Sequence, residues 1–259
     1  GVIITHAHYD HIGGLPHLIP ELGFPPIYGL PITTAIIKKR QEDFKRPLNL
    51  HNIKLTDKLR LGHFELEFFH LNHNIPDSMG IVVHTPEGTI VHSGDWKFDY
   101  QPAGEPPADL QRIAAIGSQG VLALLSDSTN ASQPGHQMSE SEIGVTIEEI
   151  ITKAPGRIII GTFASLLSRI KQIIEISEKN GKIVALDGFS MKANVEIAKE
   201  LGYMKFSPKT LIDLKRINEY PDNKVVIVCT GAQGEKNASL MRIANGEHRT
   251  IRLTKGDTV

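Results

Sequence analysis

The hydrophobic and polar positions of the chain follow two patterns, which change near residue 140. Before this point, short apolar or alternating runs separated by glycine and proline predict β-strands. These runs are GVIIT from residue 1, HFELEFFHL from 63, SMGIVVHT from 78, GTIVHSGD from 88 and VLALLS from 121. We therefore expect a strand-rich first region with few helices, in which residues 102–107 (PAGEPP) form a surface loop.

Beyond residue 140, apolar runs alternate with stretches of helical periodicity. RIIIG, KIVAL and KVVIVC are typical of buried parallel strands, and each precedes a polar turn. An amphipathic stretch follows each turn and ends at Gly181, Gly202 or Gly246. Three consecutive strand–helix units predict a parallel sheet covered by helices, that is, a Rossmann-like domain. The pattern divides the chain into domains 1–138 and 139–259.

Composition limits the class of protein. With 40% hydrophobic residues in 259, the chain can form a packed core, and it contains no apolar run of about 18 residues that would predict a membrane span. The single cysteine, Cys229, cannot form an internal disulfide, which favours a reducing compartment and predicts a cytoplasmic location. The net charge of -1 shows no global basic excess, so a polyanion would need a local binding site.

Both ends of the chain look cut. Gly1 lies inside an apparent strand, and the turn at Gly256 leads into a strand that begins at Thr258. We therefore interpret the sequence as an internal fragment.

The stretch THAHYDHIGG at residues 5–14 has the residue types and spacing of a metal site. His6 and His8 are two positions apart after an apolar strand, so both imidazoles can face one cation. Asp10 and His11 follow where a helix can begin, aimed at a second point nearby. Imidazole and carboxylate ligands suit Zn²⁺, with Mn²⁺ or Fe as alternatives. Surface exposure is the other interpretation in a chain of 12 histidines, but the tight spacing argues against it.

Two more ligands are predicted at strand ends. His73 follows the strand at 63–71 and Asp95 follows the strand at 89–92, where loops converge on one sheet edge. Asp95 is the candidate to bridge two cations, whereas Asp77 is better placed to orient a ligand, and Trp96 to shield the site. The remaining histidines lack partner spacing and are assigned surface or packing roles: His17, His51, His63, His70, His84, His92, His136 and His248.

THAHYDHIGG, together with His73 and the SGD that ends at Asp95, resembles the metallo-β-lactamase superfamily. The resemblance implies an α/β fold, an αββα sandwich that is partial here, with two zinc ions at the sheet edge. It also implies the ligands: His6, His8 and His73 for one ion, and Asp10, His11 and bridging Asp95 for the other. The histidine that the family uses as a seventh ligand has no match and would lie beyond Val259.

The second half resembles the inserted β-CASP domain of nucleases, most closely the bacterial ribonuclease J family. The similar stretches are LLSDSTNASQPGHQMSESEIG, GTFASLLSRI and VVIVCTGAQGEKNASLMRIANGEHRTI. Asp127 matches the first β-CASP motif and is expected to act near the metals, as an acid or by orienting a ligand; a simple turn residue is the alternative. Substrate contact is expected at Phe163, Ala164 and Ser165, because Ser165 could cap the following helix and its N-terminus attracts anions; plain capping is the alternative. Related sequences commonly carry histidine at Ser168, which puts a contact there in doubt.

The expected activity is metal-dependent cleavage of RNA. Two zinc ions would generate hydroxide at neutral pH for in-line attack, with Asp10 and Asp95 orienting it and a 5′-phosphate left on the product. The resemblance implies 5′-to-3′ exonuclease and endonuclease action on single-stranded RNA, preferentially 5′-monophosphorylated, by a homodimer or higher oligomer. Five cations are candidates for the local charge, although a solvated surface residue is the favoured interpretation of each one taken alone: Lys97, Arg157, Arg169, Lys171 and Arg242.

Two other functions stay open from the sequence. One is hydrolysis of a small ester or lactam on the same metal fold. The other is a non-catalytic RNA-binding subunit, against which the six intact ligands argue.

Overall fold

The computed structural model describes all of residues 1–259 and divides into two compact units, Gly1–Ser139 and Glu140–Val259. The predicted domain boundary lies one residue before this division. None of the helices is both long enough and apolar enough to cross a lipid bilayer.

The first unit contains two β-sheets. The smaller is parallel, in the order β1-β2-β3, and consists of β1 (Val2–Ile3), β2 (Ile27–Gly29) and β3 (Leu50–Asn52). The helices α1 (Tyr9–Ile12), α2 (Leu15–Glu21) and α3 (Pro31–Gln41) lie along the chain between these strands. The larger sheet has the order β4-β5-β6-β7-β8, with β4 (Leu59–Leu61), β5 (Phe64–His70), β6 (Met79–Thr85), β7 (Gly88–His92) and β8 (Ala123–Leu125). Only its last pair is parallel, joined through α4 (Leu110–Ser118).

The centre of the larger sheet is covered on both faces, and alternate apolar side chains of β5 pack on opposite sides. Leu66 and Phe68 pack with residues that join the two sheets, namely Leu30, Ile53, Met79 and Ile81. Phe69 packs on the opposite face in a cluster with Val82, Val91, Ala108 and Ile116, the last of them from α4. The layers are therefore those of a two-sheet sandwich with helical cover, as predicted.

The second unit is a four-stranded parallel sheet in the order β11-β10-β12-β9. Its strands are β9 (Ile158–Gly161), β10 (Ile183–Asp187), β11 (Leu211–Ile212) and β12 (Val225–Cys229). Its helices are α5 (Glu140–Lys153), α6 (Leu167–Lys179), α7 (Phe189–Glu200) and α8 (Ser239–Ala244), with 3₁₀ turns at Leu214–Glu219 and Asp222–Lys224. This confirms the predicted parallel sheet with helical connections. Each predicted glycine follows a helix end with a positive φ: Gly181, Gly202 and Gly246.

The third helix of the second unit is shorter than its sequence suggests. The amphipathic stretch begins directly after β12, yet α8 starts only at Ser239. Gly231 and Gly234 have φ angles of 122° and 73°, which a helix does not accommodate, so the intervening residues form a turn.

Four of the five candidate cations form ion pairs, namely Lys97 with Asp99, Lys171 with Glu175, Arg157 with Asp257 and Arg169 with Glu140. The two arginines are bound by both carboxylate oxygens. The Arg157 guanidinium donates to both carboxylate oxygens of Asp257, at 3.0 and 2.7 Å, and it is buried. Arg169 donates to both oxygens of buried Glu140, at 3.0 and 3.1 Å. Arg157 and Arg169 are therefore neither free surface cations nor available for a phosphate, because bidentate pairing with a buried carboxylate commits each guanidinium to the fold.

Candidate metal centre

The first ligands follow β1, where the chain runs between the two sheets of the first unit. The N–H of Ile4 donates to the carbonyl of Tyr28 at 2.9 Å, and the N–H of Met79 donates to the carbonyl of Thr5 at 3.1 Å. These bonds fix the backbone that leads to His6, which is fully buried. His8 then precedes α1 in extended conformation, and α1 itself carries Asp10 and His11.

The loops after β5 and β7 bring in the other two ligands. The His73 loop is tied to the Asp95 loop by a bridge in which the N–H of Lys97 donates to the carbonyl of Asn72 at 2.9 Å. Gly94 has a φ of 61°, and a Cβ there would lie 2.9 Å from that of Thr5. Only glycine allows this approach, which places Asp95 beside the backbone of the first two histidines.

One group of potential ligands consists of His6, His8, His73 and Asp95, whose donor atoms lie within 4.8 Å of one another. The His73 Nε2 lies 3.0 Å from the His8 Nδ1. The Asp95 Oδ2 lies 3.9 Å from the Nε2 atoms of both His6 and His73. Three imidazoles and one carboxylate oxygen therefore face a common point.

A second group consists of Asp10, His11 and Asp95. The His11 Nε2 lies 3.4 Å from the Asp95 Oδ1 and 3.5 Å from the Asp10 Oδ2. Asp95 thus turns one oxygen toward each group, as the bridging interpretation requires. The structure brings together all six residues that the sequence nominated as metal ligands.

The donor atoms fit a cation such as zinc. Two donors on one tetrahedral zinc ion, with bonds of about 2.0–2.2 Å, lie about 3.4 Å apart. The separations quoted above, from 3.0 to 3.9 Å, bracket this value. The His6 Nε2 is buried and has no hydrogen-bond partner in the chain, so a bound cation would satisfy an atom that is otherwise costly to bury.

The protonation states also suit a cation. Burial, reinforced by the neighbouring His11, lowers the pKa of His6 to about 2. Burial lowers the pKa values of His8 and His73 to about 4 each. All three imidazoles are therefore neutral at pH 7, which is the form that binds metal. The Thr5 Oγ1, at 3.1 Å from the His6 Nδ1, orients the most buried ring.

Asp127 lies at the same edge and is held by hydrogen bonds. Its carboxylate accepts from the N–H and the hydroxyl of Thr129, at 2.8 and 2.6 Å, and its own N–H donates to the Ser93 Oγ at 3.1 Å. Partial burial opposes ionisation, but the bonds from Thr129 and from the Trp96 N–H hold its pKa below the usual range. A lowered pKa favours an ionised carboxylate that orients its neighbours over a proton donor.

Two residues near the centre also have structural contacts. Asp77 accepts a hydrogen bond from the N–H of Ile32 at 3.0 Å, so one of its oxygens caps the first turn of α3. The Trp96 Nε1 donates to the Ser126 Oγ at 3.1 Å, and its ring lies 4.5 Å from that of Phe98. Trp96 therefore packs beside the centre, as expected.

In the second unit, Phe163, Ala164 and Ser165 form a turn between β9 and α6. The expectation that Ser165 caps α6 is wrong, because the N-cap is Leu166 and no side chain bonds to the helix start. The helix begins late because the N–H of Leu166 donates back to the carbonyl of Phe163 at 3.2 Å. Sequence reasoning missed Asn194, whose Nδ2 donates to the Ala164 carbonyl at 2.9 Å.

Ser168 and His248 are among the buried polar residues of the second unit. The Ser168 Oγ has no hydrogen-bond partner in the chain. The His248 Nε2 lies 3.0 Å from the Asp187 Oδ2, and the His248 Nδ1 accepts hydrogen bonds from the N–H groups of Thr250 and Ile251. The Asp187 contact was not foreseen, since 61 positions separate the two residues.

Comparison with protein-family models identifies both halves of the chain. The model described as "Beta-lactamase superfamily domain" matches residues 1–116. The model described as "Ribonuclease J, beta-CASP domain" matches residues 155–259.

Similar proteins extend over the whole chain. It is 44% identical to Ribonuclease J 1 of Streptococcus pyogenes serotype M3 over 100% of its length, and 41% identical to Ribonuclease J of Thermus thermophilus over 99%. It is also 40% identical to Ribonuclease J of Helicobacter pylori strain J99. The chain spans 46%, 46% and 38% of these relatives, respectively, which is less than half of each.

A solved structure supports the fold. The crystal structure of a protein of unknown function from Enterococcus faecalis V583 superimposes with a TM-score of 0.64, covering 100% of this chain and 70% of that one. At 15% identity, this similarity concerns the fold alone. The chain therefore contains a beta-lactamase superfamily domain followed by a beta-CASP domain of the ribonuclease J type.

Proposed function

We propose that this chain forms the catalytic part of a metal-dependent ribonuclease of the ribonuclease J type. The observation that carries the proposal is the convergence of two ligand groups on Asp95, in a chain whose second unit is a beta-CASP domain. Relatives named Ribonuclease J, which match the entire chain, support RNA as the substrate.

The predicted ligands form two sets, one for each of two ions. His6, His8 and His73 would hold one ion, Asp10 and His11 the other, and Asp95 both. Bound zinc ions would neutralise the charge of the phosphodiester and supply a nucleophile from water at neutral pH. Asp10, with a side chain 77% exposed, and Asp95 face the open side, where their carboxylates can accept hydrogen bonds from an attacking water. Thr5 keeps the His6 ring in its position.

We propose zinc as the ion, because imidazoles outnumber carboxylates in the first group; Mn²⁺ is the alternative that the two carboxylates of the second group favour. Asp127, ionised at the same edge, would orient groups around the ions. Phe163, which is 39% exposed, Ala164 and Ser165 would contact RNA in the second unit.

The product, the mode of cleavage, the substrate preference and the oligomeric state are proposed from the similarity to ribonuclease J. We propose cleavage that leaves a 5′-phosphate, 5′-to-3′ exonuclease and endonuclease action, a preference for single-stranded 5′-monophosphorylated RNA, and a homodimer or higher oligomer. We also propose a cytoplasmic location, which the free and buried thiol of Cys229 supports.

The test is cleavage of end-labelled 5′-monophosphorylated RNA in the presence of Zn²⁺ or Mn²⁺. The unaltered full-length protein should cleave it, and Asp10→Ala in that protein should reduce the rate at least about 100-fold, since it removes one carboxylate of the metal site. His63→Gln is the matched control, because His63 is exposed and outside both ligand groups. A 3′-labelled substrate distinguishes stepwise from internal cleavage.

Two outcomes would contradict the proposal. One is RNA that stays intact with a chain that carries stoichiometric metal. The other is turnover of a lactam or ester by the same preparation without RNA cleavage, which would favour the small-molecule hydrolase.

A further inference from the structure

An exposed aromatic ring stands at the rim of the metal centre. Tyr9 lies in sequence between the ligands His8 and Asp10, and 63% of it is exposed. The guanidinium carbon of Arg40, in the last turn of α3, lies 4.9 Å from the centre of the Tyr9 ring. An aromatic ring and a cation therefore adjoin the ligands within the first unit.

The position of the ring is fixed by its own helical turn. The N–H of Gly13 donates to the Tyr9 carbonyl at 2.6 Å. A Cβ at residue 13 would lie 3.0 and 3.1 Å from the ring atoms Cζ and Cε2 of Tyr9. The ring thus packs along Gly13, while its hydroxyl makes no hydrogen bond within the chain. Such a preformed aromatic surface binds a planar partner with little loss of conformational entropy.

Arg40 differs from its neighbours in α3. Lys39 pairs with Glu42 at 2.6 Å, whereas no carboxylate lies within ion-pair distance of Arg40. Positive charge in the last turn of a helix is favourable in any case, and this explains Lys38 and Lys39. It does not explain a guanidinium placed on an exposed ring beside metal ligands. A cation and an aromatic surface in one place are the two contacts that single-stranded nucleic acids require.

We propose that Tyr9 and Arg40 form a binding shelf for one nucleotide of the substrate, beside the phosphodiester that is cleaved. The base stacks on the Tyr9 ring, and the Arg40 guanidinium contacts a phosphate of the same strand. The inference rests on the proposed ribonuclease function and adds to it a substrate contact outside the metal ligands. Because every base has a π-face, the shelf selects single strands without selecting a base.

The first test measures binding separately from cleavage. Fluorescence anisotropy with a labelled single-stranded 12-nucleotide RNA in EDTA reports affinity when no metal-dependent cleavage occurs. Tyr9→Leu should weaken binding by at least about 5-fold, the low end for loss of one base–aromatic stack, and Tyr9→Phe should keep it. In a series of RNAs with one abasic position each, the unaltered chain should bind one member more weakly, and Tyr9→Leu should bind all members alike.

The second test separates the cation from the ring. Neutralising one phosphate contact of a single strand lowers the slope of log affinity against log salt by about 0.7, so Arg40→Gln should show this decrease. Tyr9→Leu should leave the slope unchanged. Lys38→Gln is the charge control, because Lys38 is exposed, lacks an ion pair and points about 200° away around the helix.

Phe64→Leu is the control for the loss of an exposed aromatic residue. Phe64 is 49% exposed and begins β5, about 20 Å from the end of that strand at His70. This variant should bind RNA as the unaltered chain does. Matching melting temperatures would show that each variant is folded.

The outcomes distinguish the shelf from the proposed function. Unchanged affinity of Tyr9→Leu for single strands, equal weakening for a duplex whose bases are inaccessible, or an equal loss in Phe64→Leu would overturn the shelf. The ribonuclease proposal would stand in each of these cases, provided that the unaltered chain binds and cleaves RNA. If the unaltered chain does neither, the proposed function fails and the shelf fails with it.

Discussion

Replacing Asp95 by asparagine should weaken both metal groups at once. Its Oδ2 lies 3.9 Å from the His6 and His73 nitrogens, and its Oδ1 lies 3.4 Å from the His11 nitrogen. Asparagine keeps one oxygen and loses the negative charge, so one group loses its carboxylate ligand and the other retains a neutral and weaker one. No other residue belongs to both groups.

The magnitude follows from linkage between binding and folding. Free zinc at 100 times its dissociation constant stabilises the folded state by about 2.7 kcal/mol. For a unit the size of Gly1–Ser139, each kcal/mol raises the melting temperature by roughly 4 °C, so we expect a rise of about 10 °C. If Asp95→Asn weakens binding about 100-fold, the same zinc adds only about 0.4 kcal/mol, or roughly 2 °C.

The assay is thermal unfolding in EDTA and at fixed free zinc, combined with elemental analysis of the dialysed protein. His63→Gln serves as control, since it removes an exposed imidazole without touching either group, and it should keep the full rise. Asp95→Asn should also carry less zinc per chain. An equal rise in melting temperature for Asp95→Asn and the unaltered chain would refute the bridging role.

Three further predictions concern buried groups. Asp257→Asn should lower the free energy of unfolding of the second unit by about 3 kcal/mol in urea at pH 7, because Arg157 loses its anion. Burial opposes ionisation of Asp257, yet its hydrogen bond with Arg157 holds the pKa of Asp257 below the usual range. The stabilisation by this ion pair is therefore complete above the pKa of Asp257 in the unfolded chain, about 4, and should disappear as the pH falls through its pKa in the folded chain. In Gly80→Ala, the new Cβ would lie 2.1 Å from the Phe69 Cζ, so the substitution should lower the free energy of unfolding. A decrease below about 0.5 kcal/mol, measured by thermal unfolding, would contradict this packing. Burial raises the pKa of Cys229 to about 12, so a disulfide reagent at pH 8 should modify it only after unfolding, and rapid reaction of the folded chain would be inconsistent with it.

The convergence of the ligands was predictable because most of the information is local. His6 to His11 occupy one short stretch, in which extended backbone followed by a helical turn directs the side chains toward neighbouring points. His73 and Asp95 each come three residues after a strand of the same sheet. β5 and β7 run in the same direction on either side of β6, so their carboxyl ends lie at the same edge of the sheet.

Contacts between side chains distant in sequence were not predictable. Arg157 and Asp257 are 100 positions apart, and nothing in the local pattern of either residue indicates a partner. The same holds for Asn194 and the Ala164 carbonyl, and for Tyr9 and Arg40. The predicted start of α6 was also wrong, because a local turn precedes the helix. The N–H of Leu166 donates to the carbonyl of Phe163 before α6 begins, and helix propensity alone does not indicate this turn.

The metal centre depends on the fold more than the fold depends on the centre. Gly94 packs against the Thr5 side chain, the Asn72 and Lys97 backbones form a bridge, and the Thr5 carbonyl accepts a hydrogen bond from β6, so contacts within the fold position the loops that carry the ligands. Burial keeps the rings neutral at pH 7, so they need not release protons before they bind a cation. A scaffold that sets ligand positions before the ion arrives avoids the cost of ordering them on binding. The precision of a bridging carboxylate depends on this arrangement, since a displacement of Asp95 would disturb two coordination groups together.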